Sequence, residues 1–171
     1  MGISVAISGA IILTVFIVVL FSVPNYVESI FSVGDASKQS TQSMSKVLKT
    51  EISLDSLAAA PASTVINFTL NNDGDKKLYQ YEKFDLFVTY DSSTGKTVEP
   101  LSYSGSCQGS IPAAGSWCIE EVVWDLKESG ILNSGEAALI RSQVSKNPVT
   151  GVVGLMIVTP NGVETSTSIA I

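Results

Sequence analysis

The chain has 171 residues, with ten Lys and Arg against sixteen Asp and Glu, and a net charge of −6 at pH 7. It has no histidine and a single arginine, Arg141, so the commonest general base and metal ligand is missing and no arginine cluster can grip an anion. The cations are spread singly or in pairs, which excludes a nucleic-acid face, and two cysteines without histidine do not make a zinc site.

No charged side chain precedes Glu28, and residues 3–23 are apolar apart from Ser4, Ser8, Gly9, Thr14 and Ser22. Twenty-one helical residues rise about 31 Å, close to the thickness of a bilayer's hydrocarbon core. The segment predicts a transmembrane helix over 1–23, or the apolar spine of an assembled filament. No Lys or Arg precedes the run and no small-residue cut site follows it, so a retained anchor is expected rather than a cleaved signal. Positive charge near its ends is too sparse to set orientation.

Residues 24–63 are expected to form an amphipathic stalk and hinge. Tyr26, Ile30, Val33, Met44, Val47 and Leu48 recur at roughly helical spacing among polar residues. Such a narrow stripe either docks on its own domain or pairs with a neighbour; a simple spacer is the alternative. Pro61 stops helical propagation.

From 64 to 171 the period becomes two, predicting a β domain. Ile66, Phe68 and Leu70 alternate with polar neighbours, and Asn71-Asn72-Asp73-Gly74-Asp75 follows as a hairpin turn. Phe84, Leu86, Val88 and Tyr90 alternate again. Further strands are expected over 97–104, 117–126, 136–144, 152–159 and 163–171, the last two joined by Pro160-Asn161-Gly162. Seven short strands with regular turn signals predict an immunoglobulin-like antiparallel β-sandwich. The fold class is therefore mainly β, an N-terminal transmembrane α-helix followed by that sandwich. Phe68, Phe84, Leu86, Leu155, Ile157 and Trp124 are assigned to the core, with an exposed contact as the alternative for Trp124.

Cys107 and Cys118 flank a Gly/Ser/Pro-rich stretch and are expected to close a small disulfide loop, which suits a domain facing an oxidising exterior. Asn67-Phe68-Thr69 fits an N-glycosylation acceptor. Both features place the C-terminal domain outside the cytoplasm.

No catalytic residue, cofactor or metal ligand is assigned. Asp73-Gly74-Asp75 lacks the oxygen spacing and closing glutamate of a calcium loop. Glu120 and Glu121 are adjacent on a predicted strand, so they are expected on opposite faces, unable to share a proton. The serines have no base to activate them. An enzyme is not expected; what remains is assembly through sheet faces, strand edges and the apolar helix.

The apolar start GISVAISGAIILTVFIVVLF, with Ser4, Ser8 and Gly9, leads into a sandwich, and in this the chain resembles the archaeal flagellin-like proteins. Phe68-Thr69-Leu70-Asn71-Asn72-Asp73-Gly74 followed by Phe84-Asp85-Leu86-Phe87-Val88-Thr89-Tyr90 is similar to that family's first hairpin. Leu132-Asn133-Ser134-Gly135-Glu136 is similar to a later turn, with Ser134 where the family usually has Pro. Within the family the resemblance favours the accessory subunits of the archaellum motor, FlaF and FlaG, the FlaF type above all. It implies a single-pass protein of the cell membrane with its sandwich in the pseudoperiplasm at the archaellum base. It further implies a stator that binds the S-layer protein and other motor subunits during swimming, with a homodimer or homo-oligomer as an option. Filament archaellins and pilins carry a basic leader cut before a Gly; Gly2 here follows Met1 directly, so an extracellular filament subunit is the second expectation. A membrane-anchored adhesion or ligand-binding domain is the third. The cysteine loop is not expected of the family.

Overall fold

The computed structural model describes residues 11–18, 44, 47, 49–107, 109–125 and 127–171. Two compact units divide the chain, Met1–Met44 and Ser45–Ile171. In the first, residues 11–18 are helical, and Ile11, Ile12, Leu13, Val15, Phe16, Ile17 and Val18 are all exposed. Among the described residues no helix is long and apolar enough to cross a membrane. Most of the expected span over 1–23, and the stalk up to residue 43, lie outside the described residues.

The second unit is a two-layered β structure of eight strands: β1 (Ile52–Ala58), β2 (Val65–Asn72), β3 (Asp85–Ser92), β4 (Gly95–Ser106), β5 (Ser116–Val123), β6 (Ala137–Gln143), β7 (Val152–Val158) and β8 (Glu164–Ala170). Their hydrogen-bonded order is β1-β2-β6-β5-β4-β3-β7-β8. Strand β4 belongs to both layers. Residues up to Leu101 pair with β3, and those from Ser102 onward pair with β5. The layers are thus joined along one side by β4, while the outermost strands β1 and β8 lie against each other on the other side.

Alternation builds the core. Ile66, Phe68 and Leu70 on β2, Leu86, Val88 and Tyr90 on β3, and Val153, Leu155 and Ile157 on β7 are buried at every second position. Fully burying each aliphatic side chain contributes about 1.5–3 kcal/mol. A chain of tilted aromatics, Phe84–Tyr81–Tyr103–Trp117, fills one end, with ring centroids 5.6, 5.8 and 4.7 Å apart.

Several expectations are corrected. The sheet begins at Ile52, within the stretch expected to be stalk, because Ile52 and Leu54 pair with Asn72 and Leu70 of β2 and turn inward. The sandwich is not wholly antiparallel: β4 and β5 pair in parallel. The connection between them folds back on itself, Cys107 N–H donating to the Ile119 carbonyl at 2.9 Å, so β5 runs alongside β4 instead of returning along it. The turn after Asn71-Asn72 does not make a hairpin, since β2 pairs with β1 and β6 while β3 pairs with β4 and β7. Buried Asn72 instead donates to the carbonyls of Lys76 (2.7 Å) and Leu132 (2.9 Å), steering the chain across to the other layer. Gly74 permits this route, because a Cβ there would lie 2.4 Å from the Glu51 nitrogen and 2.7 Å from the Lys49 oxygen.

Trp124 is not in the core; it is 73% exposed, whereas Trp117 is fully buried. A bulge between Ile119 and Glu121 shifts the register of β5 against β6, so Ile119 and Val122 face inward opposite Ile140 and Ala138. The strand then ends at Val123, and Trp124, at φ 61°, leaves in the left-handed conformation. The same bulge overturns the expectation for Glu120 and Glu121, which are both exposed.

Candidate assembly surface

The outer faces of the two layers differ in chemistry. On the β4–β3–β7–β8 layer, the residues between the buried positions point outward and align across the strands. One row is Pro100, Phe87, Met156 and Ser166; the next is Val98, Thr89, Gly154 and Ser168; Val152 and Ala170 extend it. None of these side chains is charged. Charges stand only at the ends of the face, Asp85 and Glu164 at one and Asp91 opposite Lys96 at the other. Val98 and Val152 are more than half exposed, at 63% and 56%. Gly154 and the small side chains Ser166 and Ser168 leave a shallow groove of about 350 Å³ beside Thr89 and Met156.

The other layer's outer face is polar. Asn71 donates to the Ser53 hydroxyl (3.2 Å) and the Asp55 carboxylate (2.6 Å). Arg141 holds Glu120 through both carboxylate oxygens at 2.7 and 2.9 Å. Asn67 is exposed on this face, directly across from Arg141. Cys107 and Cys118 are disulfide-bonded with Cα atoms 5.2 Å apart, tying the end of β4 to β5. The structure therefore places all three sequence-assigned residues on the layer opposite the uncharged face.

The titrating groups that shift do so away from reactivity. Burial pushes Tyr81 up to about 12, against a smaller opposing effect of the Leu132 amide bonded to its hydroxyl. Burial also raises Tyr90 to about 12, reinforced by its hydrogen bond to Glu99 at 2.7 Å. Desolvation opposes ionisation of Glu99, but hydrogen bonds from Ser145 and Tyr90 and the nearby Lys146 charge outweigh it and hold the carboxyl below its usual range. Protonated Tyr90 beside the ionised, hydrogen-bonded Glu99 carboxylate forms a structural clasp, and Tyr81 is tied separately to the Leu132 amide. Among the described residues no group of three or more metal-ligating side chains converges.

No family model and no curated protein matches the chain. Solved structures do. The archaellum periplasmic stator protein FlaG from Sulfolobus acidocaldarius is 19% identical, with a TM-score of 0.49 over 70% of this chain and 99% of that one. The FlaF and FlaG stator complex from the same organism gives 19% identity and a TM-score of 0.50 over 70% of this chain and 89% of that one. The archaeal flagellum of Methanospirillum hungatei strain JF1 gives 14% identity and a TM-score of 0.54 over 96% of this chain and 92% of that one. The sandwich has the fold of archaellum subunits.

Sequence reasoning missed Phe87, Val98, Pro100, Val152 and Met156 as a surface. The available signal was their parity: each occupies the outward position of a strand and none is charged, where a solvated face would carry Lys, Glu or Asp.

Proposed function

We propose that this chain is a structural subunit of the archaellum, a single-pass stator component of the cell membrane whose extracytoplasmic sandwich binds the S-layer and holds the motor while the filament turns. The observation that carries this reading is the uncharged outer face of the β4–β3–β7–β8 layer on a fold shared with a periplasmic stator complex. A subunit that transmits torque needs surfaces, not reactive groups. Many weak contacts with a repeating lattice add up through avidity. Residues 11–18, apolar apart from Thr14, suit a helix covered by lipid or by other helices. The cysteine pair and exposed Asn67 suit an oxidising exterior, with a glycan on the polar face leaving the uncharged face open. Other motor subunits are further partners, with a homodimer or homo-oligomer as the remaining option.

A filament subunit is the second reading. It is favoured by the archaeal flagellum structure, whose likeness extends over 96% of this chain; there the apolar helix would pack among copies of itself.

Co-sedimentation of the full chain with isolated S-layer sheets at the native pH tests the first reading. The protein is expected in the pellet, and Phe87→Asp with Met156→Lys in the supernatant. A wild-type protein that stays in the supernatant overturns lattice binding. Recovery of the protein along shed filaments decides for the second reading.

A further inference from the structure

Between the loop leaving β2 and the β7–β8 turn lies a cleft of about 550 Å³, within the size range of small-ligand sites. Its wall is built by specific contacts. The Asp75 and Lys76 amides both donate to the Lys49 carbonyl, at 3.0 and 3.1 Å, an approach that Gly74 permits. Tyr79 lines the mouth with a side chain 53% exposed. Beside it Gln80 stands at φ 60°, ψ 46°, a left-handed conformation that costs a non-glycine residue energy and clusters at ligand clamps.

The polar groups around the cleft are of mixed kind. Among the described residues the Asp75 carboxylate and the Lys76 ammonium have no side-chain partner, while Lys77 is held by Glu128 at 2.7 Å. Gln80 Oε1 accepts from Lys83 at 3.1 Å, which leaves its NH₂ as a donor. Asn161 donates to the Thr50 hydroxyl at 3.2 Å, which leaves its carbonyl oxygen as an acceptor. An anion meets Asp75, a cation meets Lys76, and an apolar ligand leaves all four groups unmet. A neutral polyhydroxylated ring satisfies them together: its hydroxyls donate and accept in turn, and its C–H face lies on an aromatic ring. We infer that this cleft binds a neutral saccharide, with Tyr79 as the stacking platform and Asp75, Lys76, Gln80 and Asn161 as hydroxyl partners. This site stands apart from the anchoring reading and does not depend on it.

The test is an array of neutral and acidic oligosaccharides probed with the full chain in a sugar-free detergent. Wild type is expected to capture neutral glycans. Tyr79→Ala and Asp75→Asn are expected to weaken capture about tenfold or more, while Tyr79→Phe and the distant Trp124→Ala retain it. Tyr79 is exposed, so its truncation leaves the core intact, and an unchanged circular dichroism spectrum verifies this. Three results overturn the inference: capture of no glycan, capture of acidic glycans alone that salt abolishes, or neutral-glycan binding that survives Tyr79→Ala.

Discussion

Trp117 packs its ring 4.7 Å from that of Tyr103 and is fully buried. Replacing it with Ala should cost about 3–5 kcal/mol, the loss typical of a truncated core aromatic. Trp124→Ala, at a side chain 73% exposed, should stay within about 0.5 kcal/mol. Urea unfolding of the two variants measures the contrast, and equal losses would place both rings in the core. The tyrosines make a second prediction at this scale. Tyr81 and Tyr90 are raised to about 12, against about 10 in an unfolded chain. The folded state keeps their protons longer than the unfolded state, so their contribution is full below pH 10 and is lost progressively up to about 12. Thermal unfolding followed against pH should show a falling midpoint across that window, and Tyr90→Phe should flatten the slope. A wild-type midpoint that is level through the window contradicts the assignment.

At the scale of elements, legibility followed locality. Strands β3 and β4, and β7 and β8, were readable because alternation and turn residues lie side by side in sequence. The Asn161-Gly162 turn closes with Gly162 at φ 80° and the Val163 amide on the Thr159 hydroxyl at 3.1 Å. Strand β1 was not readable, because only Ile52 and Leu54 are inward before Ser56, at φ 53°, interrupts its register. The parallel β4–β5 pair and the route from β2 to β3 rest on contacts distant in sequence, such as Asn72 to Leu132, which no local period encodes. Asn72→Ala should cost about 1–3 kcal/mol, since the half-buried Lys76 carbonyl loses its side-chain donor and the buried Leu132 carbonyl keeps only the Leu78 amide. Replacing Cys107 and Cys118 together with Ala should cost about 2–4 kcal/mol through the freed chain, and reductant should bring wild type to the same unfolding midpoint. A midpoint insensitive to reductant would mean that the loop between them carries no constraint.

At the scale of the whole molecule, the proposed function rests on two unlike faces. One layer wears a hydrogen-bonded polar surface with Asn67 and the Arg141–Glu120 pair; the other presents Phe87, Val98, Pro100, Val152 and Met156 without a charge among them. The shortage of proton-moving side chains was legible from composition alone, since the chain has no histidine. The assembly face was not, because its residues come together only when four strands are put in register. Swimming of cells tests the central claim most directly. Deleting the gene should abolish motility, wild type should restore it, and Phe87→Asp with Met156→Lys should fail to restore it while accumulating to the wild-type level. Cells that swim normally without the protein, or that swim on the face variant, would contradict the account.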